Sequence, residues 1–501
     1  MLPTRSAQIR TGLASTALVG GLALLVSSCG LRVSDSLREK GIRGATGTAQ
    51  TSVLSQGTTG GGAGTTGGAS GTTGTTGTTG TAPVGGSTAG GAASSTGAAR
   101  GTTTGGTAGG SGAAPAGGNG GATDVGVTAT SIDLGAVTTL SGPVPGLFSG
   151  DVYGAQAYFA YVNSQGGIFG RQLKLEVADD QLDCGQNRAQ HLAQADHVFS
   201  WVSSLSLYDN CGAPVIQQHP TMNEVAVTFS TQASSLKNSF SINPLVPGYR
   251  LGSLQYYKQK FPAAVPHAAS LVGNIGSAVE IFKGIQAAAE SVGWHFDYVR
   301  DYSPGETDFT SDIIQMRNKG VRCLYFVSAD SHTIAKVLNA AAQQQWHPDF
   351  IAVGAGDAAY DPSFIPEAGA ASDGVFADQP HAAFFNPSDA RIPGVGLYQE
   401  WMKKTGAAQH EDLYSAWGWG SALLGVEALK KAGPHLTRKA FQQALGTIHS
   451  FEGDGMFAKA DPAGKQPNTC YIVLRVVKGQ WVRTDTPATS FRCGGFYHYK
   501  G

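Results

Sequence analysis

From residue 132 onward the chain alternates short runs rich in β-branched and aromatic residues with longer runs of helical periodicity, and it does so twice. Residues 132–137 read as a strand. Residues 150–163 read as a helix, with Val152, Ala155, Phe159 and Val162 at helical spacing and Gly166-Gly167 to stop it. A strand at 173–177, a helix at 186–195 and a strand at 198–202 follow. The second set runs strand 269–272, helix 278–292, strand 296–302, helix 310–319, strand 323–327, helix 331–344 and strand 350–353. This pattern predicts an α/β fold with two similar lobes, each on a parallel sheet. Ligands of open parallel sheets bind outside the carboxyl ends of the strands, so the loops just after the strands are the expected functional loops.

The folded part begins late. Residues 44–123 are almost wholly Gly, Thr, Ala and Ser, with Arg100 as the one charge and no aromatic residue. Such a segment cannot bury enough apolar surface to offset chain entropy and is expected to be a disordered tether. About 80 residues of Gly-rich coil span roughly 50 Å relaxed and at most about 260 Å stretched. Collagen is excluded, because proline is scarce and the triplet phase breaks. About 378 residues remain, beyond the size at which one core splits into two.

Residues 1–28 read as a secretory signal. Arg5 and Arg10 precede an apolar stretch, 13–26, too short and too Gly-rich for a comfortable membrane span. It ends in Val26-Ser27-Ser28-Cys29-Gly30, which resembles a bacterial lipobox, in which the cysteine is lipidated and becomes the new N-terminus. The other reading is an ordinary signal with a chance cysteine. Residues 29–43 then form a short segment before the tether. Lys+Arg total 34 and Asp+Glu 35, for a net charge of −1, and no basic stripe is present. That balance argues against nucleic acid as a partner.

Several motifs together resemble one family. Val137-Thr-Thr-Leu-Ser-Gly-Pro143, Gly154-Ala155, Val162-Asn-Ser-Gln-Gly-Gly-Ile-Phe-Gly-Arg171 and Ala178-Asp-Asp180 are similar to the opening of type I periplasmic binding proteins. The branch is that of the leucine/isoleucine/valine receptors of ABC importers. Gly305-Glu-Thr-Asp-Phe309, Tyr414-Ser-Ala416 and Phe451-Glu-Gly-Asp-Gly-Met-Phe457 continue the likeness, which covers essentially all of 126–485. The resemblance implies two Rossmann-like lobes joined by three crossovers and closing on a small ligand. Lobe 1 would comprise 124–244 and 375–447, and lobe 2 would comprise 245–374 and 448–501. The crossovers would fall near Asn243-Pro244, at 375–378 and at 451–457.

The resemblance also implies a site. In the family's amino-acid receptors, Ser/Thr hydroxyls and backbone N–H groups at helix N-termini hold the ligand carboxylate, as helix dipoles favour. Ser203, Ser204 and Ser206 stand at one such loop and Phe229, Ser230 and Thr231 at the next; ordinary helix capping by these hydroxyls is the plain alternative. Ser141 lies in the first loop, and Phe148 falls where the family places an aromatic wall. In the second lobe the pattern departs: Gly273-Asn274-Ile275-Gly276 and Ser328-Ala329-Asp330 lack the expected aromatic residues. Asp330, or Asp357 within the 354–360 loop that ends at Tyr360, would meet a ligand ammonium, with helix capping as the alternative. A branched-chain amino acid fits this outline, as do amides, short peptides, urea-like compounds and aromatic acids.

Cys184 and Cys211 lie much where the resemblance implies a first-lobe disulfide, and an exported setting permits one. Cys470 and Cys493 would then bridge the C-terminal tail, while Cys323, in an apolar strand, reads as a buried free thiol. There is no CxxC pair, and the twelve histidines are scattered. No metal or cofactor is therefore expected. The near-GxGxxG at 354–359 lacks its third glycine, and neither a Walker A sequence nor a GxSxG elbow occurs. The expectation is a lipid-anchored, extracytoplasmic solute-binding protein on the outer face of the cytoplasmic membrane. It would not be an enzyme, and it would deliver a small amino-acid-like ligand to an ABC permease. The rival expectation is a sensory or interaction lipoprotein that keeps the fold without transport.

Overall fold

In a computed structural model, residues 112, 115, 118–354, 358–485 and 490–500 are described. The signal, Cys29, nearly all of the tether and Asp357 lie outside them.

The chain first builds β1 (Ser131–Thr138), α1 (Ser149–Ser164), β2 (Gln172–Asp179), α2 (Cys184–Ala195) and β3 (Trp201–Val202). It continues through α3 (Asp209–Gln218), β4 (Glu224–Val225), α4 (Thr231–Ser234) and β5 (Ser239–Phe240). These strands form one parallel sheet in the order β2-β1-β3-β4-β5.

After Asn243-Pro244 come β6 (Gly248–Arg250), α5 (Leu251–Lys260), β7 (Ala268–Gly273), α6 (Ala278–Ser291) and β8 (Phe296–Tyr302). Then follow α7 (Thr310–Asn318), β9 (Cys323–Phe326), α8 (Ser331–Gln343), β10 (Phe350–Val353), α9 (Phe364–Ala368) and β11 (Phe376–Gln379). The order β8-β7-β9-β10-β11 repeats that of the first sheet. The chain then returns to the first lobe for α10 (Pro393–Lys404), α11 (Leu413–Ala432) and α12 (Arg438–Leu445). It ends with β12 (Cys470–Val477), β13 (Gln480–Arg483), β14 (Arg492–Cys493) and β15 (Phe496–His498). Strand β12 extends the second sheet antiparallel to β11, β13 pairs antiparallel with β12, and β15 pairs with β6.

Local chemistry explains the helix starts. Asp183, Asp330, Asp412 and Thr437 each accept a backbone N–H three residues on, capping α2, α8, α11 and α12. Helices α1 and α11 touch backbone to backbone at Gly154 and Gly418. A Cβ at Gly154 would lie 1.9 Å from the Ser415 carbonyl, and one at Gly418 would lie 1.9 Å from that of Asp151. No other residue fits such a crossing without moving a helix.

Three expectations change in detail. The strand at 198–202 shortens to Trp201–Val202. Residues 375–378, expected as a crossover, fall mostly within β11 (Phe376–Gln379), so the chain leaves the second lobe after Gln379. The ordered body also starts before residue 124: the buried Arg171 donates to the carbonyls of Asn119, Gly121, Thr128 and Pro434, fastening the end of the tether to the lobe. The disulfides Cys184–Cys211 and Cys470–Cys493 are formed, and Cys323 is free and buried.

Candidate functional site

Each sheet reverses its strand order between β1 and β3, or between β7 and β9, which leaves a crevice at the carboxyl ends of those strands. The two crevices face one another across a void of about 790 Å³, part of it open to solvent. The first lobe supplies Leu147 and Phe148 after β1, Leu207 after β3 and Phe229 after β4. The first turns of α11 add Leu413, Tyr414 and Trp417. The second lobe supplies Ile275 after β7, Tyr302 and Pro304 at the end of β8, Ala329 and Asp330 after β9, and Val353 at the end of β10.

Four rings of the first lobe form one wall. Phe148 stacks on Phe229 with centroids 5.6 Å apart and meets Tyr414 edge-on at 4.9 Å. Trp417 closes the group at 6.0 Å from Phe229 and 5.9 Å from Tyr414. Among the described residues lining the void, Asp330 carries the one charge. The lining is thus apolar with a few polar edges, as small-molecule sites generally are.

The lobes already touch at the rim. The Leu207 carbonyl accepts from Ser277 N at 3.0 Å, and Thr231 Oγ1 donates to Glu280 at 2.9 Å. Gly276 sits at φ 44°, where an added Cβ would lie 2.2 Å from the Leu207 carbonyl. Close approach of the lobes therefore needs glycine at this point.

The residues expected to hold a ligand fall into two groups. Phe148, Phe229 and Asp330 line the void. Asp330 also caps α8, accepting from Thr333 N at 2.9 Å and Thr333 Oγ1 at 2.7 Å. The hydroxyls, by contrast, are engaged within the protein. Ser203, at φ 65°, donates to Asp151; Ser204 accepts from Val137 N; Ser206 accepts from Tyr208 N. The cause is the backbone, since Leu205 bridges Thr138 and ties this loop to the sheet. Ser141 binds Asp179, Ser230 caps α4, and Thr231 sits at the rim. Asn274 is exposed beside the void. Tyr360 does not line it: the residue is fully buried, and its hydroxyl accepts from Phe384 N and Phe385 N. The expectation passed over Leu207, Tyr302, Tyr414 and Trp417. Tyr302 ends a strand, so the carboxyl-end rule alone points to it.

Burial governs the carboxyls beneath the first-lobe wall. It raises Asp412 to about 7 and holds Asp151 well above the usual carboxylate range against the opposing Ser203 bond. Glu411, at about 7, and Asp209, at about 6, shift the same way. A carboxyl raised on folding keeps its proton where the unfolded chain, near 4, has lost it. Stability should therefore fall as pH rises from about 4 to about 7. Urea midpoints should be higher at pH 5.5 than at pH 7.5, and Asp412→Asn should shrink that difference; an unchanged difference would remove Asp412 from this linkage.

Comparisons fit this architecture. A periplasmic binding protein family model matches residues 131–480, and the chain belongs to that family, which consists of solute-binding proteins. Membership implies a place outside the cytoplasm, and no described helix is long and apolar enough to cross a membrane. Among solved structures, the fatty acid ABC transporter substrate-binding protein from Thermomonospora curvata is 19% identical with a TM-score of 0.63. The match covers 75% of this chain and 95% of that one. A branched-chain amino acid ABC transporter from Thermus thermophilus with bound valine is 16% identical with a TM-score of 0.62, covering 71% and 96%. The corresponding substrate-binding protein of Streptococcus pneumoniae, in complex with isoleucine, is 15% identical with a TM-score of 0.58, covering 71% and 100%. At these identities the likeness concerns the fold. No curated protein matches the sequence.

Proposed function

We propose that this chain is an exported, lipid-anchored substrate-binding protein of an ABC importer, capturing a ligand of amino-acid size with an apolar body between its lobes. The observation that carries the reading is the void itself. Its walls come from both lobes, at the carboxyl ends of both sheets, and they are apolar nearly throughout. A cavity divided between two bodies couples occupancy to their closure, which a membrane permease can sense. The ligands named for the similar structures, a fatty acid for one and valine or isoleucine for others, share an apolar body. The lipobox-like Val26-Ser27-Ser28-Cys29 and the tether suit a receptor held away from a membrane.

The test is a thermal-shift panel on the full chain: amino acids, amides, small peptides, polyamines and aromatic acids. A ligand at about 100 times its Kd should add roughly 2.7 kcal/mol of stability, and the ligands that do so should be those with branched or aromatic bodies. Silence across the panel, with the chain folded, would favour a sensory or interaction role for the same fold.

A further inference from the structure

Phe229, which lines the void, and its neighbour Ser230 present two successive backbone N–H groups to a carboxylate, and that carboxylate belongs to the chain. Asp209, in the first turn of α3, accepts from Phe229 N at 2.6 Å and from Ser230 N at 3.1 Å through Oδ2. Phe229 and Leu207, which flank this arrangement, both line the void. A pair of N–H groups beside a cavity is a natural anion site, and here it is filled from within.

We infer that Asp209 stands where an anionic ligand group would otherwise go, so that the cleft selects neutral ligands with an apolar body, such as amides, and rejects their carboxylate counterparts. This rests on the receptor reading above and narrows its ligand class. The remaining surroundings agree. Ser203, Ser204 and Ser206 are each engaged with protein groups, and Ser230 Oγ accepts from Ala233 N. Asp330, the charge among the described lining residues, has the sign that repels an anion. Lys465, the cation beneath this loop, is spent on the carbonyls of Ser234, Leu236 and Ser239. Burial raises the Asp209 carboxyl to about 6, so at pH 7.5 it is ionised and excludes a second carboxylate by like charge.

Calorimetric titration of the full chain at pH 7.5 with matched pairs tests this: phenylacetamide against phenylacetate, and isovaleramide against isovalerate. The neutral member of each pair should bind at least tenfold more tightly. Asp209→Ala, which frees both N–H groups, should raise carboxylate affinity at least tenfold and leave the amides within about threefold. Asp209→Asn keeps an acceptor for the N–H groups while removing the charge; it should close part of the gap, and it carries the test if the alanine variant fails to fold. Carboxylates binding as tightly as amides to the wild type, or an unchanged gap in a folded variant, would overturn the inference. Binding by neither member of either pair would overturn the choice of a small apolar ligand, and with it the reading on which the inference rests.

Discussion

Asp378→Ala should destabilise the chain by about 3–5 kcal/mol, because it strands a buried guanidinium. Asp378 is fully buried in β11, and Arg250 is 5% exposed at the end of β6. Arg250 Nη2 donates to Asp378 Oδ2 at 2.9 Å and to the Asp378 carbonyl at 2.9 Å. The Tyr249 hydroxyl donates to Oδ2 at 3.0 Å and the Tyr325 hydroxyl to Oδ1 at 3.3 Å. Arg250 follows the first crossover and Asp378 precedes the second, so this cluster fixes the two strands from which the chain passes between lobes. Denaturant unfolding measures the effect. Replacing both partners by apolar residues, as in Arg250→Met with Asp378→Leu, should cost less than the single substitution, since no unpaired charge is left. A double variant as unstable as the sum of the singles would contradict that account.

Trp417→Ala should cost the ligand at least 30-fold in affinity, equivalent to about 2 kcal/mol. It removes a large ring from the lining, and with it the contacts that hold Phe229 and Tyr414 in place. Trp417 is 5% exposed, so the variant should also lose about 3–5 kcal/mol of folding stability. Trp417→Phe separates the two effects. It keeps an aromatic face and should recover most of the affinity, which titration of the folded variants reads directly. Equal affinity in the alanine variant and the wild type would place the ligand elsewhere.

Much of the fold is legible in the order of residues, because periodicity and caps act locally. The helix expected at 278–292 is observed as Ala278–Ser291 and the strand at 350–353 as Phe350–Val353. The shortest strands are less legible. The strand expected at 198–202 is found only as Trp201–Val202, and Glu224–Val225 and Ser239–Phe240 carry no signal in the sequence; at two residues each, they are set by sheet neighbours rather than by any pattern of their own. Helix α11 hid its role differently: it is buried nearly all round, so no stripe marks Tyr414 and Trp417 as facing a void. The serine-rich loops show the limit most clearly. Ser203 and Ser204 stand in the expected loop, but backbone torsion and sheet pairing aim their hydroxyls into the protein. Nothing short of the folded chain shows that Asp209 reaches the N–H groups of Phe229 and Ser230.

The central claim is that the two lobes close on a small molecule, and a cross-cleft distance tests it most directly. Pro145 on the first-lobe rim and Pro362 on the second are both exposed beside the same opening. Spin labels attached at these positions, through Pro145→Cys and Pro362→Cys in the full chain, should report a broad distance distribution without ligand. With a saturating ligand that raises the melting temperature, the distribution should become shorter and narrower. An identical distribution with and without that ligand would contradict closure on the ligand.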